Sequence, residues 1–134
     1  MNLKDRIVFI DDDEGNSLLV EVWLTNAGIS NVTYFRDPLI ALENIKKGLQ
    51  PKMVISDYNM PTMNGVDLLN EIKKVYPETK TLIVSATSQL QWHPQQPHPI
   101  LVKGINYLDD LVRAIKKELT QPDALSGPAS SIAG

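Results

Sequence analysis

The chain has 134 residues, 43% hydrophobic and 22% charged, with a formal net charge of -3 and no cysteine. That is enough for one domain with a real core, and it excludes the disordered and collagen-like classes, disulfides, and thiol-based metal sites or nucleophiles. No run approaches the roughly 18 apolar residues that span a bilayer, no apolar signal core follows Met1, and the charge gives no footprint for nucleic acid, so a soluble cytoplasmic protein without membrane or direct nucleic-acid contact is expected.

Ile7-Val8-Phe9-Ile10 is a continuous apolar run, as expected of a strand buried on both faces of a parallel sheet, and it ends abruptly in Asp11-Asp12-Asp13-Glu14. From Asn16 the period changes: Leu18, Leu19, Val22 and Trp23 share one helical face, which is read as the inner one, and Gly28 is placed to end the helix. Val32 to Phe35 is a second strand. Asp37-Pro38 supplies an N-cap and a Pro at the first helical position, Leu39, Leu42 and Ile45 are read as the inner face, and Gly48 stops that helix.

Met53 to Ser56 is the third strand, followed by Asp57 and a loop broken by Pro61 and Gly65. Val66, Leu69, Ile72 and Val75 form a helical stripe that ends before Pro77. Thr81 to Val84 is a fourth strand and Ile100 to Val102 a short fifth. Asn106 is placed to cap a last helix faced by Leu108, Leu111, Val112, Ile115 and Leu119, with Lys116 and Lys117 suited to its C-terminal dipole. Residues 1–120 are expected to form the domain. The Pro-, Ser-, Ala- and Gly-rich 121–134 reads as a flexible tail or the start of a linker.

Five strands alternating with helices predict an α/β fold, a parallel sheet in the flavodoxin-like order 2-1-3-4-5 with helices on both faces. Its switch point lies between strands 1 and 3, where ligands bind at the C-terminal edge. Asp57 then has two readings: a reactive or metal-binding carboxylate, or a loop aspartate accepting backbone N–H bonds. The crevice would gather Asp11, Asp12 and Asp57, and two carboxylates about 4 Å apart repel by roughly 4 kcal/mol at an effective dielectric near 20. A hard divalent cation, Mg²⁺ above all, is the natural remedy. Lys103 at the end of strand 5 would add positive charge and Ser85 at the end of strand 4 a hydroxyl, the groups that a transferring phosphoryl needs.

In four pieces, the chain resembles the receiver domain of bacterial two-component response regulators: I-D-D-D-E-G-N at 10–16, S-D-Y-N-M-P-T-M-N-G at 56–65, V-S-A at 84–86 and V-K at 102–103. The resemblance covers about residues 5 to 119, and its middle piece is the specific one. It implies that Asp57 accepts the phosphoryl group from a sensor histidine kinase or a phosphotransfer protein. It also implies Asp12, Asp57 and the Asn59 backbone carbonyl as direct Mg²⁺ ligands, with Asp11 acting through water. Ser85 would be the switch hydroxyl, Lys103 the partner of the phosphoryl oxygens, and Ala86 the small residue that leaves them room. Asp12-Asp13 is the alternative acidic pair; Asp11-Asp12 is preferred because Ile10 then ends the strand.

Departures from the family cluster near the fifth strand. Pro94, Pro97 and Pro99 each cost about 3 kcal/mol inside a helix, so the helix usual between strands 4 and 5 is expected to be short or missing. Ile100 holds a position that is normally aromatic, and Gly104 replaces the proline that usually follows the lysine. Output through an atypical surface to an unidentified downstream protein, and a monomer, follow as expectations. His93 and His98 lack i,i+4 geometry and a third ligand, and are not read as a metal site; Trp92 is read as filling space. The competing readings are a receiver-like module that acts by binding alone, and a small haloacid dehalogenase-type phosphohydrolase with Asp11 as nucleophile and Asp13 as acid/base. The hydrolase reading leaves the Asp57 loop unexplained.

Overall fold

A computed structural model describes residues 6–86 and 97–120. The elements run β1 (Ile7–Ile10), α1 (Glu14–Asn26), β2 (Val32–Phe35), α2 (Pro38–Lys46), β3 (Met53–Asp57), α3 (Gly65–Val75), β4 (Lys80–Ser85), β5 (Ile100–Val102) and α4 (Tyr107–Thr120). The five strands form one sheet in the order β2-β1-β3-β4-β5, every neighbouring pair parallel. The helix expected to be short or missing between β4 and β5, with Trp92 and His93, lies mostly in 87–96, outside the described residues. So do the predicted tail at 121–134 and its boundary.

The sheet's pleat sends alternate side chains to opposite faces, and each face has its own core. Ile7, Phe9, Met53, Ile55, Leu82 and Val84 pack with Val20 and Leu24 of α1 and with Leu111, Ile115 and Leu119 of α4. Val8, Ile10, Val54 and Ile83 pack with Ala41, Leu42 and Ile45 of α2 and with Leu68, Leu69 and Ile72 of α3. The central strands are therefore apolar without alternation, because both sides are covered.

Local signals set the helix ends. Asp13 caps α1 by accepting from the Asn16 N–H at 3.1 Å, and Gly28 at φ +84° takes the left-handed turn beyond it. Asp37 caps α2, accepting from the Leu39 N–H at 2.9 Å, with Pro38 at the first helical position and Gly48 at φ +119° past its end. Asn64 caps α3, its Oδ1 accepting from the Asp67 N–H at 2.9 Å.

Two inner faces differ from the sequence expectation. In α1, Val20 and Leu24 are the buried pair, whereas Leu18, Leu19, Val22 and Trp23 are 56%, 50%, 56% and 40% exposed. Apolar residues surround this helix, so their spacing selects no face; its docking onto the sheet does. In α2, Ala41, Leu42 and Ile45 point inward while Leu39 is exposed, because Pro38 takes the buried place at the helix start. In α3 the buried stripe runs through Leu68, Leu69 and Ile72, with Val66 and Val75 half-buried at its margins.

Candidate functional site

At the C-terminal edge of the sheet, β1, β3 and β5 end in or beside the residues of one cluster. The Asp11 N–H donates to the Phe35 carbonyl at 3.0 Å, which extends the β1–β2 ladder by one residue and pins the Asp11 backbone. Its side chain is 1% exposed. Oδ1 accepts from the Asp13 N–H at 2.9 Å, and Oδ2 accepts from the Asn16 side-chain amide. Asp12 is exposed beside it. The Asp13 carboxylate is turned away to cap α1, so the acidic pair at the site is Asp11 and Asp12.

Asp57 is the last residue of β3, opposite Val84 of β4, and the Tyr58 N–H continues that ladder to the Val84 carbonyl at 2.8 Å. The loop then folds tightly back: the Gly65 N–H donates to the Tyr58 carbonyl at 2.9 Å, and Thr62 takes a left-handed backbone at φ 72°. A β-carbon on Gly65 would stand 2.4 Å from the Asp57 carbonyl oxygen. Only glycine permits that approach, so Gly65 shapes the site as well as starting α3.

One carboxylate oxygen from each of Asp11, Asp12 and Asp57 can lie within 4.8 Å of the others. Facing them is one ammonium: Lys103 Nζ stands 3.6 Å from Asp57 Oδ1 and 3.9 Å from Asp11 Oδ2. The Lys103 N–H donates to the Ser85 carbonyl at 2.8 Å, which fixes its backbone at the end of the β4–β5 ladder. Burial raises the Asp57 carboxyl above the usual carboxylate range; Lys103 opposes that rise and Asp11 adds to it. Among the described residues, three carboxylates against one ammonium leave negative charge in excess, and every donor in that group is a hard oxygen. That donor set fits a hard divalent cation.

Ser85 is buried at the end of β4, one residue past the partner of Asp57. Asn59 and Ala86 are exposed in the segments that leave β3 and β4. Ile100 pairs with Ile83 and packs, half-buried, against the α2–α3 core. The sequence reading missed Asn16, which orients Asp11, and Tyr107, whose ring centroid lies 5.7 Å from Lys103 Nζ. Asn16 follows the capping Asp13 by three residues; Tyr107 follows Lys103 by four, a spacing with meaning only once the helix start is known. His98 is buried, with Nδ1 2.7 Å from Thr81 Oγ1 and Nε2 2.7 Å from Asn70 Oδ1.

The family model described as the response regulator receiver domain matches residues 7–97. The chain belongs to that family. A chemotaxis protein CheY from Thermotoga maritima is 32% identical over 84 residues, 63% of this chain and 69% of the relative. The Regulator of RpoS from Escherichia coli is 32% identical over 85 residues, but the match spans 25% of that protein. Among solved structures, a CheY-like receiver domain protein from Methanospirillum hungatei superposes with TM-score 0.75 at 24% identity, over 86% of this chain and 93% of that one. The response regulator protein TrrA from Thermotoga maritima, in complex with Mg(2+)-BeF, superposes with TM-score 0.73 at 25% identity, over 85% and 98% of the two chains. The receiver is thus a two-component signalling domain, and none of its described helices is long and apolar enough to cross a membrane.

Proposed function

We propose that this receiver takes a phosphoryl group onto Asp57 from a phosphohistidine of a sensor histidine kinase or phosphotransfer protein. The observation that carries the reading is the placement of Lys103 Nζ within 4 Å of both Asp57 and the buried Asp11, at the open edge of the sheet. An Asp57 carboxylate oxygen attacks phosphorus, the P–N bond to the donor imidazole breaks, and the imidazole keeps the bonding electron pair. Lys103 offsets the charge on the equatorial oxygens and Ser85 offers them a hydroxyl donor. Ala86 leaves room beside them.

Asp12, Asp57 and the Asn59 carbonyl would hold Mg²⁺ directly and Asp11 through water. A bound Mg²⁺ supplies positive charge that lowers the cost of bringing an anionic phosphoryl to three carboxylates. The TrrA complex supports this assignment, since that response regulator of the same fold was solved with Mg(2+)-BeF. Output would leave through β5 and its approach, where Ile100 replaces the family's aromatic residue, toward a downstream protein of unassigned identity.

Intact mass after incubation with acetyl phosphate and Mg²⁺ tests the proposal. The expected result is a phosphoryl adduct on the wild type that is absent from Asp57→Asn. An adduct on Asp11 with rapid ester turnover would favour the hydrolase instead. No adduct, with no Mg²⁺ effect on tryptophan fluorescence, would leave a module that acts by binding alone. Lys103→Ala should still bind Mg²⁺ yet couple phosphorylation poorly to conformational change; equal coupling would refute the role given to Lys103.

A further inference from the structure

We propose that Tyr107 is the positioning residue of this site, its ring face holding the Lys103 ammonium toward Asp57 and Asp11. The inference rests on the phosphoacceptor reading for its consequence and on geometry for its substance. Lys103 directly follows a three-residue strand and is itself followed by Gly104, which has no side chain to stiffen the turn. Ile105 is fully exposed and Asn106 is exposed, so neither packs back on the lysine. Tyr107, the first residue of α4, is the first residue after Lys103 to return to the protein: it is 8% exposed and joins the core between the sheet, α1 and α4. Its N–H donates to the Gly104 carbonyl at 3.2 Å, which closes the turn and brings the ring under the lysine.

The 5.7 Å separation between Nζ and the ring centroid is within cation–π range. Lys103 is itself only 24% exposed, so the contact is partly shielded from water. Without the ring, a long lysine side chain beside a glycine has several rotamers that point into solvent. The hydroxyl plays no part in this role. It is buried beside the Asn16 side chain and makes no hydrogen bond of normal geometry, so phenylalanine should serve the lysine equally well.

The test uses the full chain with Tyr107→Phe and Tyr107→Leu, and has two readouts. The first is the rate of phosphorylation by acetyl phosphate with Mg²⁺. The second is the proton shift of the Lys103 ε-methylene, which an aromatic face moves upfield and a leucine does not. Tyr107→Leu should slow phosphorylation about fivefold, the loss expected for a partly shielded cation–π contact, and should abolish the upfield shift. Tyr107→Phe should keep the shift and stay within about twofold of the wild-type rate. A folded Leu variant with the wild-type rate would overturn the proposal, as would a wild type whose Lys103 shows no upfield shift. Should the Leu variant not fold, the wild-type and Phe shifts still decide. If the wild type takes no phosphoryl group, the phosphoacceptor reading fails while the shift still reports on the placement of Lys103.

Discussion

Asp57 is a charged group held where charge is costly. Its carboxyl is raised above the unfolded value, mainly by burial, with Lys103 as the main opposing influence. For an acid raised on folding, stability is fully present below the unfolded pKa, about 3.9, and is lost as pH rises through the folded value. Asp57→Asn should therefore unfold at higher urea than the wild type at pH 7, and the gap should close near pH 3. A gap of the same size at both pH values would refute this account. Gly65 acts on the same residue from below. The alanine β-carbon would meet the Asp57 carbonyl oxygen at 2.4 Å, so Gly65→Ala should cost about 1–3 kcal/mol in urea unfolding and displace the acceptor, with slower phosphorylation by acetyl phosphate. A variant as stable and as fast as the wild type would show that the loop gives way freely.

At the scale of elements, α1 has two apolar sides and buries only one. Leu24 is fully buried, whereas Leu19 is half exposed. Leu24→Ala should cost about 2–5 kcal/mol, and Leu19→Ala no more than about 0.5 kcal/mol, by the same denaturation measurement. A larger loss at Leu19 than at Leu24 would mean that the helix is docked on the other face, and equal losses would refute the burial of one face only. The start of α1 shows how three neighbouring acids divide their work. Asp13 caps the helix, Asp11 is locked by Asn16 and the Asp13 N–H, and Asp12 stays exposed at the mouth of the site. Asp13→Ala should cost about 1 kcal/mol of stability and leave phosphorylation within a few-fold of wild type. Loss of all phosphotransfer in that variant would instead give Asp13 a place in the chemistry.

Across the whole molecule, His98 ties three parts of the fold together. It enters from the approach to β5, and its ring meets Thr81 of β4 on one side and Asn70 of α3 on the other. With Asn70 Oδ1 as acceptor, Nε2 carries the proton and Nδ1 accepts from the Thr81 hydroxyl, which is a neutral imidazole. Burial, and Lys73 nearby, hold its pKa below the usual histidine value. For a base lowered on folding, stability is present above the unfolded pKa near 6.5 and is lost as pH falls through the folded value. The urea midpoint should thus fall on acidification below that range, and by less in His98→Gln. A difference between the two proteins that stays constant from pH 7.5 to 5 would rule this linkage out. The clamp fastens the entry to β5, the strand that delivers Lys103.

The strands were legible in the sequence from local signals, and their order and the convergence of Asp11, Asp12, Asp57 and Lys103 followed from the doubly wound topology that five alternating strands favour. Ile7 to Ile10 and Met53 to Ile55 are apolar on both faces, as a covered parallel strand is, and the acids stand past the ends of those runs. The cap at Asp37 and the turn at Gly28 are likewise short-range chemistry, whereas the Asp13 cap was not anticipated. Which face of α1 is buried was not legible, since Leu18, Leu19, Val22 and Trp23 are as apolar as Val20 and Leu24, and only docking against the sheet distinguishes them. The same holds for His98, whose partners lie 17 and 28 residues away, and for Gly65, whose constraint is the Asp57 carbonyl folded over it. Periodicity and spacing report what a residue's near neighbours in the chain require; contacts made across the fold exist only once the sheet has closed around them.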